Sequence, residues 1–329
     1  MSAVPTVDLD RPTNDVARAI AECARELGFF QIVGHDLDSD VLDAAWDTAA
    51  RFFDLPMDVK VGLRIQPGEA YGYTPFLGER LAASLGNETP PDLKESFATG
   101  PLDGPAADLD DESSRFVYSP NHWPDALPAL QPAWERYYRT MADLAARLLG
   151  LMAVGLDLPA TYFEPFIDRH TSAQRALRYP AIDGRSPAPG QLRAGAHTDY
   201  GTLTILRQDL GPGGLEVLAP EGRWIPVRPQ PDAFVVNLGD TLARWTNDHW
   251  RSTLHRVVVP AGDDGRTARQ SMAFFHNANW DAVIECLPTC CDAANPARHR
   301  AVTSGDHLMA KLMGPRLLRP SEPTPAHRA

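Results

Sequence analysis

The sequence predicts a mainly β fold with flanking helices, a barrel or a double-sheet jelly roll, preceded by a mostly helical part. Two textures carry that reading. From about residue 170, short apolar runs alternate with turn residues at 174–180, 194–198, 202–208, 214–218, 223–227, 233–238, 253–259 and 268–275. Many short strands at regular spacing mark barrels and jelly rolls. Before residue 170 the apolar positions recur instead at helical spacing. No stretch of flexible linker composition divides the halves, so one fused unit is expected.

Taken in order, residues 4–9 (VPTVDL) predict an opening strand. A helix follows, with Thr13 or Asn14 as N-cap and Gly28 as its stop. Val16, Ala17, Ile20, Cys23, Ala24 and Leu27 make its apolar face. Residues 29–35 read as a strand and 40–53 as a second amphipathic helix. Residues 67–93 are loop-rich with aromatics, and KESFATG (94–100) is a strand. Residues 101–124 are expected to be irregular, because Pro101, Pro105, Pro120 and Pro124 interrupt them. A long helix spans about 127–155, with Leu130, Trp134, Tyr138, Met141, Leu144, Leu148 and Met152 on one face, and a shorter helix follows Pro159. In the β-rich half, 239–247 reads as a helical turn. A last helix covers 304–313, ahead of a Pro-rich tail. The expected segments are therefore 1–125, an N-terminal region; 126–168, a scaffold helix; 170–280, the β core; and 281–329, a C-terminal helix and tail.

Bulk properties narrow the function. The 329 residues carry a net charge of −12, so no global field draws nucleic acid or an anionic membrane. No segment approaches the roughly 20 apolar residues of a membrane helix. No signal-peptide pattern opens the chain. Cys23, Cys286, Cys290 and Cys291 match no paired zinc spacing and read as reduced thiols, which predicts a cytoplasmic protein.

The chemistry concentrates in AGAHTDYGTLTIL, residues 194–206. His197 and Asp199 are two apart in a strand-like run, so they share a face. An imidazole beside a carboxylate suits a metal once a third ligand is found. His249 falls in a loop, whereas His255 opens the apolar run RVVVP, so His255 is the expected third ligand. Two His and one carboxylate leave three positions of an octahedron open, the arrangement of non-haem Fe(II) oxygenases. Zinc more often takes a closed tetrahedral shell or keeps one open position. The competing reading of His-x-Asp is a core histidine next to a surface aspartate.

A second constellation lies downstream. Arg269 and Ser271 share a strand face in RQSMAFF, and the turn PAGDDGR (260–266) folds them back toward His255. A fixed guanidinium beside a hydroxyl suits a carboxylate. The competing reading is a surface arginine paired with Asp263 or Asp264.

Together these motifs resemble the isopenicillin N synthase-like branch of the Fe(II)/2-oxoglutarate-dependent oxygenases, in a chain of bacterial composition. The resemblance rests on HTDYGTLTIL, NDHWRSTLHRVVVP and RQSMAFF, with 55 residues between Asp199 and His255 and 13 between His255 and Arg269. VPTVDL, ARELGFFQIVGH, PDLKESFATGP and NHWP add to it, so that it covers residues 4–315. It implies a double-stranded β-helix (jelly-roll) core, with residues 1–125 resembling the family's non-haem dioxygenase N-terminal domain. It implies Fe(II) on His197, Asp199 and His255. It implies 2-oxoglutarate with its distal carboxylate on Arg269 and Ser271, near Tyr179 of LRYP. Plant members often carry Asn where this chain has Leu177. The intact Asp199 argues against halogenation.

The implied activity is hydroxylation, desaturation or cyclisation of a small-molecule metabolite, with O2 consumed and succinate and CO2 released. Secondary metabolism, antibiotic biosynthesis included, is the expected setting. The same fold also serves iron oxidases that use no 2-oxoglutarate, and a non-catalytic binding protein is a third reading. Expected substrate contacts are Tyr71, Tyr73, Phe76, Arg178, Tyr200, Phe275 and Trp280, with Arg178 foremost as a strand-borne cation. The expected partner is a small-molecule substrate, with neither nucleic acid nor membrane.

Overall fold

The computed structural model describes residues 3–317 apart from 87–88, 106–110, 183–186, 212, 261 and 264–265. The N-terminal part holds β1 (Thr6–Asp8), α1 (Thr13–Glu26), β2 (Phe29–Val33), α2 (Ser39–Phe53), α3 (Met57–Gly62) and β3 (Gly72–Thr74). A 3-10 turn (Leu81–Leu85), β4 (Glu95–Thr99), α4 (Glu112–Val117), α5 (Leu130–Gly155) and α6 (Glu164–Ile167) follow. The β-rich half holds β5 (Ala173–Tyr179), β6 (Ala194–His197), β7 (Leu203–Gln208), β8 (Leu215–Leu218), β9 (Trp224–Pro226) and β10 (Phe234–Leu238). Then come α7 (Asp240–Trp245), β11 (His255–Val257), β12 (Arg269–His276), β13 (Val283–Ile284), β14 (Val302–Thr303) and α8 (Ser304–Leu317).

Two sheets form the double-stranded β-helix. The larger has eight strands in the order β1-β2-β10-β7-β12-β5-β4-β3, and the smaller has four in the order β6-β11-β8-β9. Leu177, Tyr179, Val235 and Ala273 of the large sheet meet Ala194, Leu215, Val217, Ile225 and Val257 of the small one in a single apolar cluster. The opposite face of the large sheet packs under the helices: Ala176, Ile205, Val236, Met272 and Phe274 join Ile20, Trp134, Met141 and Leu148 in a second cluster. A strand buried on both faces reads as a near-continuous apolar run. This accounts for runs such as FVVNL in β10, whose five residues are all buried.

Helix α5 is the strut beneath this sheet. Leu130, Trp134, Tyr138, Met141, Leu144, Leu148 and Met152 are all buried, as their spacing predicts. Gly28 ends the first helical segment at φ +68°, where a Cβ would meet the Arg251 carbonyl oxygen at 2.1 Å. That position therefore demands glycine.

Three details differ from the sequence reading. Helix α1 starts at Thr13 with Pro12 as its cap and no side-chain cap bond, because the proline presets φ at −52°. Residues 101–124 are not wholly irregular: Asp111 and Ser114 close a capping box that nucleates the six residues of α4. Helix α3 also forms, over a stretch too short to show periodicity. The Pro-rich tail after 317 lies outside the described residues. Among the described residues, no helix is long and apolar enough to cross a membrane.

Candidate active site

Strands β6 and β11 pair so that His197 stands opposite His255. Asp199 sits in the turn that leaves β6, and its carbonyl accepts the Asp240 amide at 2.8 Å. That turn is tightly packed: a Cβ on Gly239 would meet the Gly201 carbonyl oxygen at 2.2 Å. Ligand atoms of His197, Asp199 and His255 all lie within 4.8 Å of one another. Asp199 Oδ1 is 3.8 Å from both Nε2 atoms.

The surrounding groups aim these atoms. Asp199 Oδ2 accepts Thr204 Oγ1 at 2.6 Å and Asn237 Nδ2 at 2.7 Å, which leaves Oδ1 for the shared centre. His197 Nδ1 lies 2.7 Å from the Gly195 carbonyl, and His255 Nδ1 3.2 Å from that of Thr253. A carbonyl only accepts, so both Nδ1 atoms carry the proton and both Nε2 lone pairs face the centre. Burial, reinforced by the adjacent His255, lowers the His197 pKa to about 4. Burial alone would raise the Asp199 carboxyl, but His255, His197, Asn237 and Thr204 outweigh it and hold it below its ordinary value. The set is two imidazole Nε2 atoms and one carboxylate oxygen, a donor set that fits Fe(II).

Arg269 is 1% exposed at the end of β12. It donates to Ser271 Oγ at 3.3 Å and Gln208 Oε1 at 3.2 Å, and its guanidinium lies 4.9 Å from the Tyr179 ring centroid. Its Nε has no partner among the described residues. Asp263 does not pair with it; that carboxylate lies 3.4 Å from Arg193 instead. A buried guanidinium with an unmet donor, flanked by a hydroxyl, fits the distal carboxylate of 2-oxoglutarate.

The sheets and their flanking segments enclose a cavity of about 400 Å3. The metal-type triad, Arg269, Ser271, Tyr179, Tyr71, Tyr200 and Phe275 all line it. Four expected contacts do not. Tyr73 is buried in the helical core, where its hydroxyl donates to Glu95 at 2.6 Å. Gly72, at φ +134°, turns the chain between Tyr71 and Tyr73, so their rings diverge. Arg178 lies on the other face of β5, its guanidinium 3.9 Å from Asp54, because Leu177 and Tyr179 point inward. Phe76 is 39% exposed outside the cavity. Trp280 packs against Gly305, at the start of α8.

The arginine that β5 brings to the cavity is Arg175, which the sequence reading missed. Its parity with Tyr179 along β5 is the signal that finds it. Asn237, Thr204, Gln208 and Glu79 were also missed, since only the folded chain brings them to the site.

The profile of the non-haem dioxygenase N-terminal region, named for morphine synthesis, matches residues 4–126. That of the 2OG-Fe(II) oxygenase superfamily matches 171–278. A 2-oxoglutarate-Fe(II) type oxidoreductase of Aspergillus fumigatus is 35% identical over 310 residues, covering 91% of this chain and 87% of that protein. This chain belongs to the 2OG-Fe(II) oxygenase superfamily. The oxygenase is also 32% identical to validamycin A dioxygenase of Streptomyces hygroscopicus, over 94% of this chain and 86% of that one. A family member from Caulobacter crescentus superposes with a TM-score of 0.82 at 31% identity, covering 95% and 99% of the two chains. A full-length Neurospora crassa protein, solved in complex with alpha-KG, superposes at 0.79 and 31% identity, covering 94% and 95%. The oxygenase is thus a non-haem dioxygenase that uses Fe(II) and 2-oxoglutarate to oxidise a small molecule.

Proposed function

We propose that His197, Asp199 and His255 hold the Fe(II), and that Arg269, Ser271 and Tyr179 hold the distal carboxylate of 2-oxoglutarate. Bound Fe(II) and 2-oxoglutarate supply an oxidant that takes hydrogen from the substrate, with O2 consumed and succinate and CO2 released. The protein's part is to orient and to exclude water. Asn237 and Thr204 keep Asp199 Oδ1 turned inward, and Gln208 steadies Arg269. Tyr71, Tyr200 and Phe275 bound the space where the substrate lies. In this division residues 170–280 carry the oxidising site on the 126–168 scaffold, while 1–125 and 281–329 add walls to the substrate end.

The observation that carries the assignment is the convergence of one carboxylate oxygen and two imidazole Nε2 atoms, 3.8 Å from Asp199 Oδ1 in each case. The other polar atoms of the three side chains already have protein partners. Relatives with names from metabolite chemistry, such as validamycin A dioxygenase, support a role in secondary metabolism. We place the enzyme in the cytoplasm, where its thiols stay reduced.

The test is anaerobic titration of 2-oxoglutarate into the Fe(II)-loaded protein, followed by the weak visible band of a keto acid chelating iron. The band is expected with the native protein and weakened in Arg269→Ala. Iron uptake without any band would overturn the assignment.

A further inference from the structure

The face that β5 and β12 turn to the cavity carries two guanidiniums. Arg269 pairs with Tyr179, Ser271 with Leu177, Ala273 with Arg175 and Phe275 with Ala173. Arg175 therefore lies four positions from the Arg269 level, roughly 13 Å at about 3.3 Å per residue. One guanidinium belongs to the co-substrate end. The other stands at the far end.

Arg175 is built to be met by a ligand. Its neighbours across the sheet are Ala98 on β4 and Ala273 on β12, and both line the cavity. Beside these small residues the Arg175 side chain stays 19% exposed. Nη2 is committed to Glu79 and to Ser96 Oγ at 2.6 Å. Nε is buried and donates to nothing among the described residues. Glu79 is held in turn by Lys94 Nζ at 2.7 Å, and Lys94 by Asp92 at 3.1 Å. The guanidinium is thus fixed on one side and unmet on another, in a site otherwise walled by Leu81, Phe116, Val117, Phe275, Leu308 and Leu312.

Charge decides what meets it. Among the arginines and carboxylates of the lining, Arg175 and Arg269 stand against Glu69, Glu79 and Asp199, and the Lys94–Asp92 pair behind Glu79 adds no net charge. Fe(II) and the 2-oxoglutarate dianion cancel each other. A carboxylate substrate would add to a negative excess in a poorly solvated space, whereas a neutral acceptor would not. Resting on the site assignment above, we propose that the substrate is an uncharged, largely apolar molecule that presents a carbonyl oxygen to Arg175.

The experiment compares matched compounds on phenylacetyl and cyclohexylacetyl scaffolds: the carboxylate, the primary amide, the methyl ester and the hydrocarbon. Binding is measured anaerobically by calorimetry to the Fe(II)- and 2-oxoglutarate-loaded enzyme. The amide or ester is expected to bind at least tenfold tighter than both carboxylate and hydrocarbon. Arg175→Met should erase the gap between amide and hydrocarbon. Arg175→Lys, which keeps the charge beside Glu79, should retain the fold and part of the gap. Tightest binding by the carboxylate, no binding by any carbonyl compound, or an undiminished gap in Arg175→Met would each overturn the proposal. The affinity for 2-oxoglutarate separates the two readings. A native protein that fails to bind it overturns both, whereas normal 2-oxoglutarate affinity with any of the three adverse results overturns this one alone.

Discussion

His197 and His255 face each other across paired antiparallel strands with their ring centroids 4.3 Å apart. With each Nδ1 held to a backbone carbonyl, both rings offer an Nε2 lone pair to one point. Asp199 supplies the charge, and its aim depends on Asn237. Asn237→Ala should therefore weaken Fe(II) affinity roughly 10- to 100-fold, the usual effect of losing a group that orients a ligand. Equilibrium dialysis with Fe(II) under argon measures it, and unchanged affinity would sink the argument.

Arg269→Lys keeps the positive charge but loses the planar fork. Hydrogen bonds to charged groups contribute about 1.5–3 kcal/mol, so KM for 2-oxoglutarate should rise about 10- to 100-fold. Succinate formation against 2-oxoglutarate concentration gives the value. An unaltered KM would place the co-substrate elsewhere.

Phe274 and Phe275 are neighbours with opposite duties. Phe274 is fully buried among the helices, whereas Phe275 lines the cavity. Phe274→Ala should cost about 3–5 kcal/mol of stability. Phe275→Ala should cost much less and change substrate turnover instead. Denaturant unfolding and turnover, measured on both variants, test the strand's facing. Equal destabilisation would contradict it.

Stability should fall as the pH drops through the ordinary range of histidine. Burial lowers the pKa of His170 and, more strongly, of His276, whose Nδ1 lies 2.7 Å from Thr202 Oγ1. In the unfolded chain both titrate near the ordinary value of about 6.5. The unfolded state thus binds more protons below that pH, and stability rises with pH across the window. The denaturation midpoint is expected to drop between pH 7.5 and 5.5, and less so in a His170→Gln variant. A flat midpoint would contradict this.

Much of this site could be read along the chain, and the reasons are local. His197 and Asp199 are two residues apart where the chain leaves β6, and Arg269 and Ser271 share β12. The strands of the jelly roll announce themselves because both faces of the large sheet are buried. What escaped reading is long-range or turns on one dihedral angle. Glu79 reaches Arg175 across 96 positions of sequence, a distance no periodicity spans. The Gly72 turn parts Tyr71 from Tyr73. Arg178 is the instructive error, because strand parity with Tyr179 already excluded it and pointed to Arg175.

The cavity has walls of two origins. The triad, Arg269 and Ser271 come from the jelly roll, where contacts as close as Gly201 against Gly239 allow little change. Tyr71, Glu79, Phe116, Leu308 and Leu312 come from segments on either side of it in the chain. Substitutions in these short peripheral stretches can therefore reshape the cavity's far end while leaving the jelly-roll side chains in place.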